Sequence, residues 1–157
     1  MTEPAGSIEI RAASEATDEM VAAFGRLIPQ LSSATPPDLA ALREIVASPS
    51  NTVLLAYDRA SGNIVGTLTL VVFRIPTAIR AWIEDVVVDS AARGRGVGEA
   101  LTREALRLAA ERGAASVELT SRPTREAANR LYERLGFVRR ATNVYRYSIT
   151  AGHRPAA

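Results

Sequence analysis

Two hydrophobic periods alternate along this chain. Short stretches repeat their apolar residues every second position or run continuously apolar. Longer ones repeat every three to four. Ile8 to Ala12 reads as a first strand, and Thr17 to Leu31 as a helix with Met20, Val21, Phe24, Leu27 and Ile28 at helical spacing. A break is expected from Pro29 to Pro37, then a short helix from Asp38 to Ala47 with Leu39, Leu42 and Val46 on one side. Thr52 to Tyr57 is a strand, Asp58 to Asn63 a hairpin loop, and Ile64 to Ile75 a long strand. Both parities of that long strand are largely apolar, which places it centrally, covered on both faces. Ala81 to Asp89 is the next strand, followed by a helix from Val97 to Arg112. That helix has an apolar stripe of Val97, Leu101, Ala105 and Leu108, a Glu99–Arg103 pair at i,i+4, and Gly113 as its stop. Ser116 to Thr120 follows as a strand. Thr124 is positioned to cap a helix from Arg125 to Leu135 that Gly136 ends, and Phe137 to Arg140 and Val144 to Ile149 are expected as final strands.

The strand–helix–strand unit from Ala81 to Thr120 requires a parallel, right-handed crossover, and the flanking hairpins require antiparallel pairs. The fold class is therefore α/β, a mixed sheet with helices on both faces. No internal repeat or second domain is visible, so residues 1–157 are expected to form one domain with its core at about 8–149 and loose ends at 1–6 and 152–157.

Composition narrows the chemistry. The chain has no cysteine, which removes disulfides, thiolate nucleophiles and cysteine metal sites and suits a cytoplasmic protein. Its one histidine, His153, lies in the Gly/Pro/Ala tail, so a histidine triad or metal cluster is not expected. All 19 basic residues are arginine and the net charge is only +2, weak support for a nucleic-acid partner. The N-terminus lacks an apolar leader core, and no run is long enough to cross a bilayer.

Two segments carry candidate chemistry. In Trp82 to Leu101, a Val-rich strand runs into a loop with Arg93, Gly94, Arg95, Gly96 and Gly98 at the start of a helix. Such a start presents unpaired N–H groups and the positive end of the helix dipole, a setting for phosphate. A dinucleotide fingerprint requires G-x-G-x-x-G, but Glu99 stands in the last position; an ATP loop requires a lysine that is absent. The second segment, Arg125 to Phe137, combines a core stripe of Ala128, Leu131 and Leu135 with Arg125, Asn129 and Tyr132 at i, i+4, i+7.

The R-x-x-G-x-G pattern from Arg93 to Gly98, directly after the Val-rich strand, resembles the acyl-CoA pyrophosphate loop of the GNAT superfamily of N-acetyltransferases. About thirty residues later, the L-Y-x-x-x-G-F ending of the next helix is similar to that superfamily's later helix. The resemblance spans roughly Ile64 to Tyr147. It implies a GNAT-type fold: a central, mostly antiparallel sheet in which one parallel strand pair splays apart. It implies acetyl-CoA as co-substrate, with no metal. Pantetheine would lie along Val86, Val87 and Val88, and the pyrophosphate on the loop from Arg93 and Gly94 through Arg95, Gly96, Val97, Gly98 and Glu99. Tyr132 would stand beside the sulfur. Many members carry Asn where this chain has Arg125; Asn129 could replace the amide contact, and Arg125 could meet a phosphate.

With no cysteine for an acyl-enzyme, direct attack by a primary amine on the thioester is the implied reaction, and the ammonium needs a base. Glu84 is favoured, with Asp85 second; Glu84 shares parity with Val86 and Val88 unless a bulge intervenes. Tyr132 is the candidate acid toward the departing thiolate. A small-molecule amine would be held by the N-terminal helices, the Phe73 to Trp82 connection and the last strand, with Arg74, Arg80, Trp82, Glu84, Tyr145 and Arg146 available to line the site. The I-E-D and V-Y-R-Y stretches are similar to glucosamine-6-phosphate N-acetyltransferases and to small histone- or polyamine-type relatives. Alternatives are a non-catalytic CoA-binding module and a protein N-terminal or lysine acetyltransferase. Relatives are often dimers, and an exposed C-terminal strand could pair across subunits.

Overall fold

A computed structural model describes residues 7–149; the expected loose ends, and His153, lie outside the described residues. The chain divides after Ser121 into two compact units, taken here in turn.

The first unit runs Ile8–Ala12 (β1), Asp18–Leu31 (α1), Leu39–Ala47 (α2), Asn51–Asp58 (β2), Ile64–Ile75 (β3), Ala78–Val88 (β4), a single 3-10 turn at Ser90–Ala92, Val97–Glu111 (α3) and Ser116–Glu118 (β5). The sheet order is β1-β2-β3-β4-β5. The first three pairings are antiparallel and β4–β5 is parallel, as the crossover requires.

Local chemistry starts the first two helices. Thr17 Oγ1 accepts from the Met20 N–H at 3.2 Å, and Asp38 Oδ1 from the Ala41 N–H at 2.8 Å. Helix α1 runs through Pro29 to Leu31, the end its apolar spacing predicts, so the expected break begins at Ser32 rather than at Pro29. An interior proline costs about 3 kcal/mol, but Leu27 and Ile28 are buried, each worth roughly 1.5–3 kcal/mol. The Ser32 N–H closes the last turn on the Ile28 carbonyl at 3.0 Å. Packing outweighs the local penalty.

Helices α1 and α2 bury Met20, Phe24, Leu27 and Leu42 against Val53, Leu55, Ile64 and Val87. Helix α3 lies on the opposite face, so close that a Cβ on Gly66 would stand 2.9 Å from Val97 Cγ1. Strand β3 is thus central and covered on both faces. Strand β4 begins three residues before the expected Ala81, because Ile75 pairs with Ala78 around a tight Pro76-Thr77 turn. Proline is tolerated there because the turn needs no ladder donor. Strand β5 stops at Glu118, short of Thr120.

The second unit contains helix α4, Glu126–Arg134. Thr124 does not cap it. Arg125 occupies the cap position with no side-chain hydrogen bond, and Asn129 Nδ2 donates to the Arg122 carbonyl at 3.0 Å. The helix end is fully formed. The Gly136 N–H donates to the Glu133 carbonyl and the Phe137 N–H to the Tyr132 carbonyl, each at 3.0 Å, with Gly136 at φ 98. This is a Schellman stop with its apolar contact in place, Phe137 edge-on to Tyr132 at 5.7 Å.

Among the described residues, neither Phe137–Arg140 nor Val144–Ile149 forms a strand, correcting the expectation. Phe137 is engaged in closing α4, and Val138, Val144, Tyr145, Tyr147 and Ile149 are exposed. Their composition suits a pleated surface, but a strand exists only where a neighbour completes its ladder, and no ladder forms on either segment.

Candidate functional site

In the first unit the candidate site is built on the C-terminal half of β4 and the loop that follows. The parallel ladder pairs Arg80 with Ser116, Ala81 with Val117 and Trp82 with Glu118, and then ends. From Ile83 to Val88 the β5-side edge of β4 has no strand partner among the described residues, leaving main-chain groups that an extended ligand can pair with.

Strand β4 is also bulged. Thr67 pairs with Val87 and Thr69 with Glu84, so two steps on β3 span three on β4. The extra residue carries strain: Asp85 has φ 50, the only non-glycine residue with positive φ among those described. The bulge switches parity. Glu84, opposite Thr69, lies with Trp82 and Val87 on the face that α1 and α2 cover, while Val88, opposite Gly66, lies on the α3 face. Glu84 therefore does not share a face with Val88, as unbroken alternation would require. It remains accessible to solvent, but partial desolvation, and secondarily the adjacent Asp85 charge, raise its pKa above the usual carboxylate value.

Beyond β4, Asp89 Oδ1 accepts from the Ala91 N–H at 3.1 Å and starts the 3-10 turn. Gly94 and Gly96 follow at φ 78 and 76, a region closed to most side chains. No atom lies within 4 Å of where either Cβ would be, so the loop's outer surface is open. Gly96 occupies the α3 cap position without a side-chain cap, and the first intrahelical bond is Ala100 N–H to the Gly96 carbonyl. The N–H groups of Val97, Gly98 and Glu99 precede it and have no intrahelical acceptor. Glu99 pairs with Arg103 at 2.8 Å, as its spacing predicts.

The two loop arginines diverge. Arg93 is exposed. Arg95 is half-buried, and its Nη2 donates to Asp58 Oδ1, at the end of β2, at 3.2 Å. A second distant residue also holds the loop: Gln30 Oε1 accepts from the Ser90 N–H at 2.9 Å. Sequence reading missed both partners. Asp58 reads as an ordinary hairpin residue and Gln30 as the polar end of a helix, and nothing within a local window links either to residues 90–95. Arg74 and Arg80 sit on the β3–β4 hairpin, not in a loop, opposite Ile79 and Phe73.

In the second unit Tyr132 is buried within α4's closing turn. Burial raises its pKa above 10, with Arg125 acting weakly in the other direction, so the phenol keeps its proton at neutral pH. Asn129 is partly buried and committed to the Arg122 carbonyl, and Arg125 is exposed. Tyr145 and Arg146 lie on the exposed, strandless stretch.

Among the described residues no cluster of metal-ligating side chains occurs, and no helix is long and apolar enough to cross a membrane.

The first unit thus combines a mixed sheet whose one parallel ladder ends at Trp82 and Glu118 with a glycine loop opening the crossover helix. The model of the Acetyltransferase (GNAT) family matches residues 16–137, and the chain belongs to that family. Members of this family use acetyl-CoA. N-alpha-acetyltransferase 30 of Schizosaccharomyces pombe is 37% identical over 71 residues, 45% of this chain and 47% of that protein, so the match spans about half of that relative. An acetyltransferase structure from Trypanosoma brucei superposes with a TM-score of 0.74 at 26% identity, covering 90% of this chain and 99% of that one. Glucosamine-6-phosphate N-acetyltransferase from Arabidopsis thaliana shares the fold, with a TM-score of 0.73 at 20% identity over 89% of this chain and 97% of its own.

Proposed function

We propose that the chain transfers the acetyl group of acetyl-CoA to a primary amine of a small molecule by direct attack. The observation that carries this reading is the ending of the β4–β5 ladder at Trp82 and Glu118, immediately before the open glycine loop. An unpaired strand edge suits the amides of pantetheine, and the N–H groups at the start of α3 suit a pyrophosphate. The residues present fit the co-substrate: the Cβ positions of Gly94 and Gly96 face open space, so phosphate oxygens can approach the main chain. Arg93 adds a charge from the side.

Acetyl-CoA, when bound, supplies the thioester carbonyl that the amine attacks. Glu84 removes a proton from the ammonium, directly or through one water, so that a nucleophilic lone pair forms. Its raised pKa makes it a better base than an ordinary carboxylate. Asp85 holds the bulge and adds negative charge beside it. Tyr132 delivers its proton to the leaving sulfur, and its fixed rotation against Phe137 supports that role. Trp82, on the Glu84 face, and Arg146 contact the acceptor. The exposed Val144–Ile149 stretch supports a homodimer in which it pairs with a second copy.

A second reading, transfer to a protein N-terminus, draws on the likeness to N-alpha-acetyltransferase 30. Free-thiol release from acetyl-CoA, measured against a panel of small amines and a panel of peptides with free N-termini, decides between them. Turnover with small amines alone is expected. Turnover with peptides alone overturns the small-molecule acceptor, and acetyl-CoA binding with neither overturns the reaction.

A further inference from the structure

An arginine in a phosphate loop is ordinarily read as a phosphate ligand. Here the Arg95 guanidinium turns toward the end of β2, where Nη2 reaches Asp58 Oδ1 at 3.2 Å and Ser7 Oγ at 3.5 Å. The Asp58 carboxylate is itself held in place. Its Oδ1 accepts from the Ala60 N–H at 3.2 Å, its Oδ2 from Ser61 Oγ at 3.0 Å, and its N–H donates to the Asn63 carbonyl at 2.9 Å. The Arg95 and Asp58 side chains retain only 23% and 14% of their accessible surface, so solvent screens this contact less than the other ion pairs of the unit.

The surroundings give the pair its purpose. Arg95, Asp58, Asp89, Ala91 and Ala92 line a cavity of about 460 Å³. Arg95 therefore borders a hollow, and the Arg95–Asp58 contact joins the loop across 37 residues to the β2–β3 turn. Gly94 and Gly96, which flank Arg95, have the freest backbones available. A loop of that kind does not hold one conformation unaided.

We infer that Asp58 and Arg95 form a clamp that positions the glycine loop, with Arg95 acting as a positioning residue through Asp58 rather than as a phosphate ligand. The clamp restrains the main chain of residues 95–99 before the co-substrate arrives, which lowers the ordering cost of binding. The inference rests on the reading of this loop as the acetyl-CoA pyrophosphate site. Neighbouring charges and hydrogen bonds, Arg95 first, then Ser61 and Ala60, hold the Asp58 pKa below its usual value, so the clamp stays charged at neutral pH.

The test compares Asp58→Asn, Arg95→Gln, the double variant and Arg95→Lys in the full chain. Each is measured by steady-state kinetics and by amide hydrogen exchange without ligand. A clamp predicts that Asp58→Asn and Arg95→Gln each raise the KM for acetyl-CoA about five- to tenfold with kcat within about twofold. The double variant is no worse than either single one. Exchange at residues 94–99 quickens in all three, and Arg95→Lys restores part of both effects. If Arg95 binds phosphate directly, Asp58→Asn frees it and leaves the KM unchanged or lower while Arg95→Gln raises it. That pattern overturns the clamp, as does unaltered exchange at 94–99. Unfolding temperature is followed alongside, because a merely structural role lowers it without a selective rise in KM. If the unmodified chain fails to bind acetyl-CoA, the site reading falls, while the exchange data still decide whether the pair orders the loop.

Discussion

Helices α3 and α4 both begin without a side-chain cap, yet they are finished in opposite ways. The start of α3 is held from far away, by Gln30 on Ser90 and Asp58 on Arg95, and the N–H groups of Val97 and Gly98 have no intrahelical acceptor. The start of α4 is braced from within, by Asn129 donating to the Arg122 carbonyl, and its end is closed by Gly136 and Phe137 folding back on the last turn. A binding surface needs unsatisfied main-chain donors, so the forces that shape it have to come from outside it. A buried side chain such as Tyr132 can instead be aimed by the few residues that follow it.

The largest expected effect lies beside the open start. Glu84→Gln should lower kcat/KM at neutral pH about 100-fold, the range of a lost general base. As pH falls through the raised Glu84 pKa, the base is protonated and the rate of the unmodified enzyme should drop; the variant's pH profile should lack that limb. The same raised pKa means that the folded state holds the Glu84 proton more tightly than the unfolded chain does, so the ionised group weakens the fold above that pKa. Urea titration at neutral pH should therefore find Glu84→Gln no less stable than the unmodified chain. A profile that keeps its acid limb would rule Glu84 out and turn attention to Asp85.

Next comes the closed helix. Tyr132→Phe keeps the ring against Phe137 and removes only the hydroxyl. It should cut kcat at least about tenfold with little change in acetyl-CoA affinity. Unchanged turnover would leave Tyr132 a packing residue in a helix stop.

The smallest effects sharpen the contrast most. Gly96 and Gly136 both have positive φ with open space at the Cβ position, so alanine costs each about 1–2 kcal/mol of backbone strain. The same strain should appear in different measurements. Gly96→Ala should raise the KM for acetyl-CoA several-fold with a modest loss of stability. Gly136→Ala should lower the unfolding midpoint and leave that KM nearly unchanged. Equal effects of the two on KM would erase the distinction between the two helix ends.

Much of this was legible in sequence, for particular reasons. The glycine loop could be read because Gly94 and Gly96 stand at positive φ, where the chain favours glycine. The Y-x-x-x-G-F motif could be read because a Schellman stop places glycine and an apolar contact at fixed offsets from the helix end. The bulge at Asp85 was only an option in sequence, since aspartate is tolerated at φ 50 but does not require it. The break after α1 was placed too early, at Pro29, because the compensation for that proline, burial of Leu27 and Ile28, comes from other elements. The strands expected at 137–140 and 144–149 rested on side-chain pattern alone, and pattern supplies no hydrogen-bonding partner.

By itself the sequence determined the helices, the central strand, the parallel crossover, the glycine loop and the tyrosine-bearing helix stop, because each depends on contacts a few residues apart or on a period along one segment. Tertiary structure decided where the β4–β5 ladder ends, which face Glu84 occupies, and that Arg95 answers Asp58. Those outcomes depend on register and on pairings across tens of residues, set by the sheet as a whole rather than by any one stretch of chain.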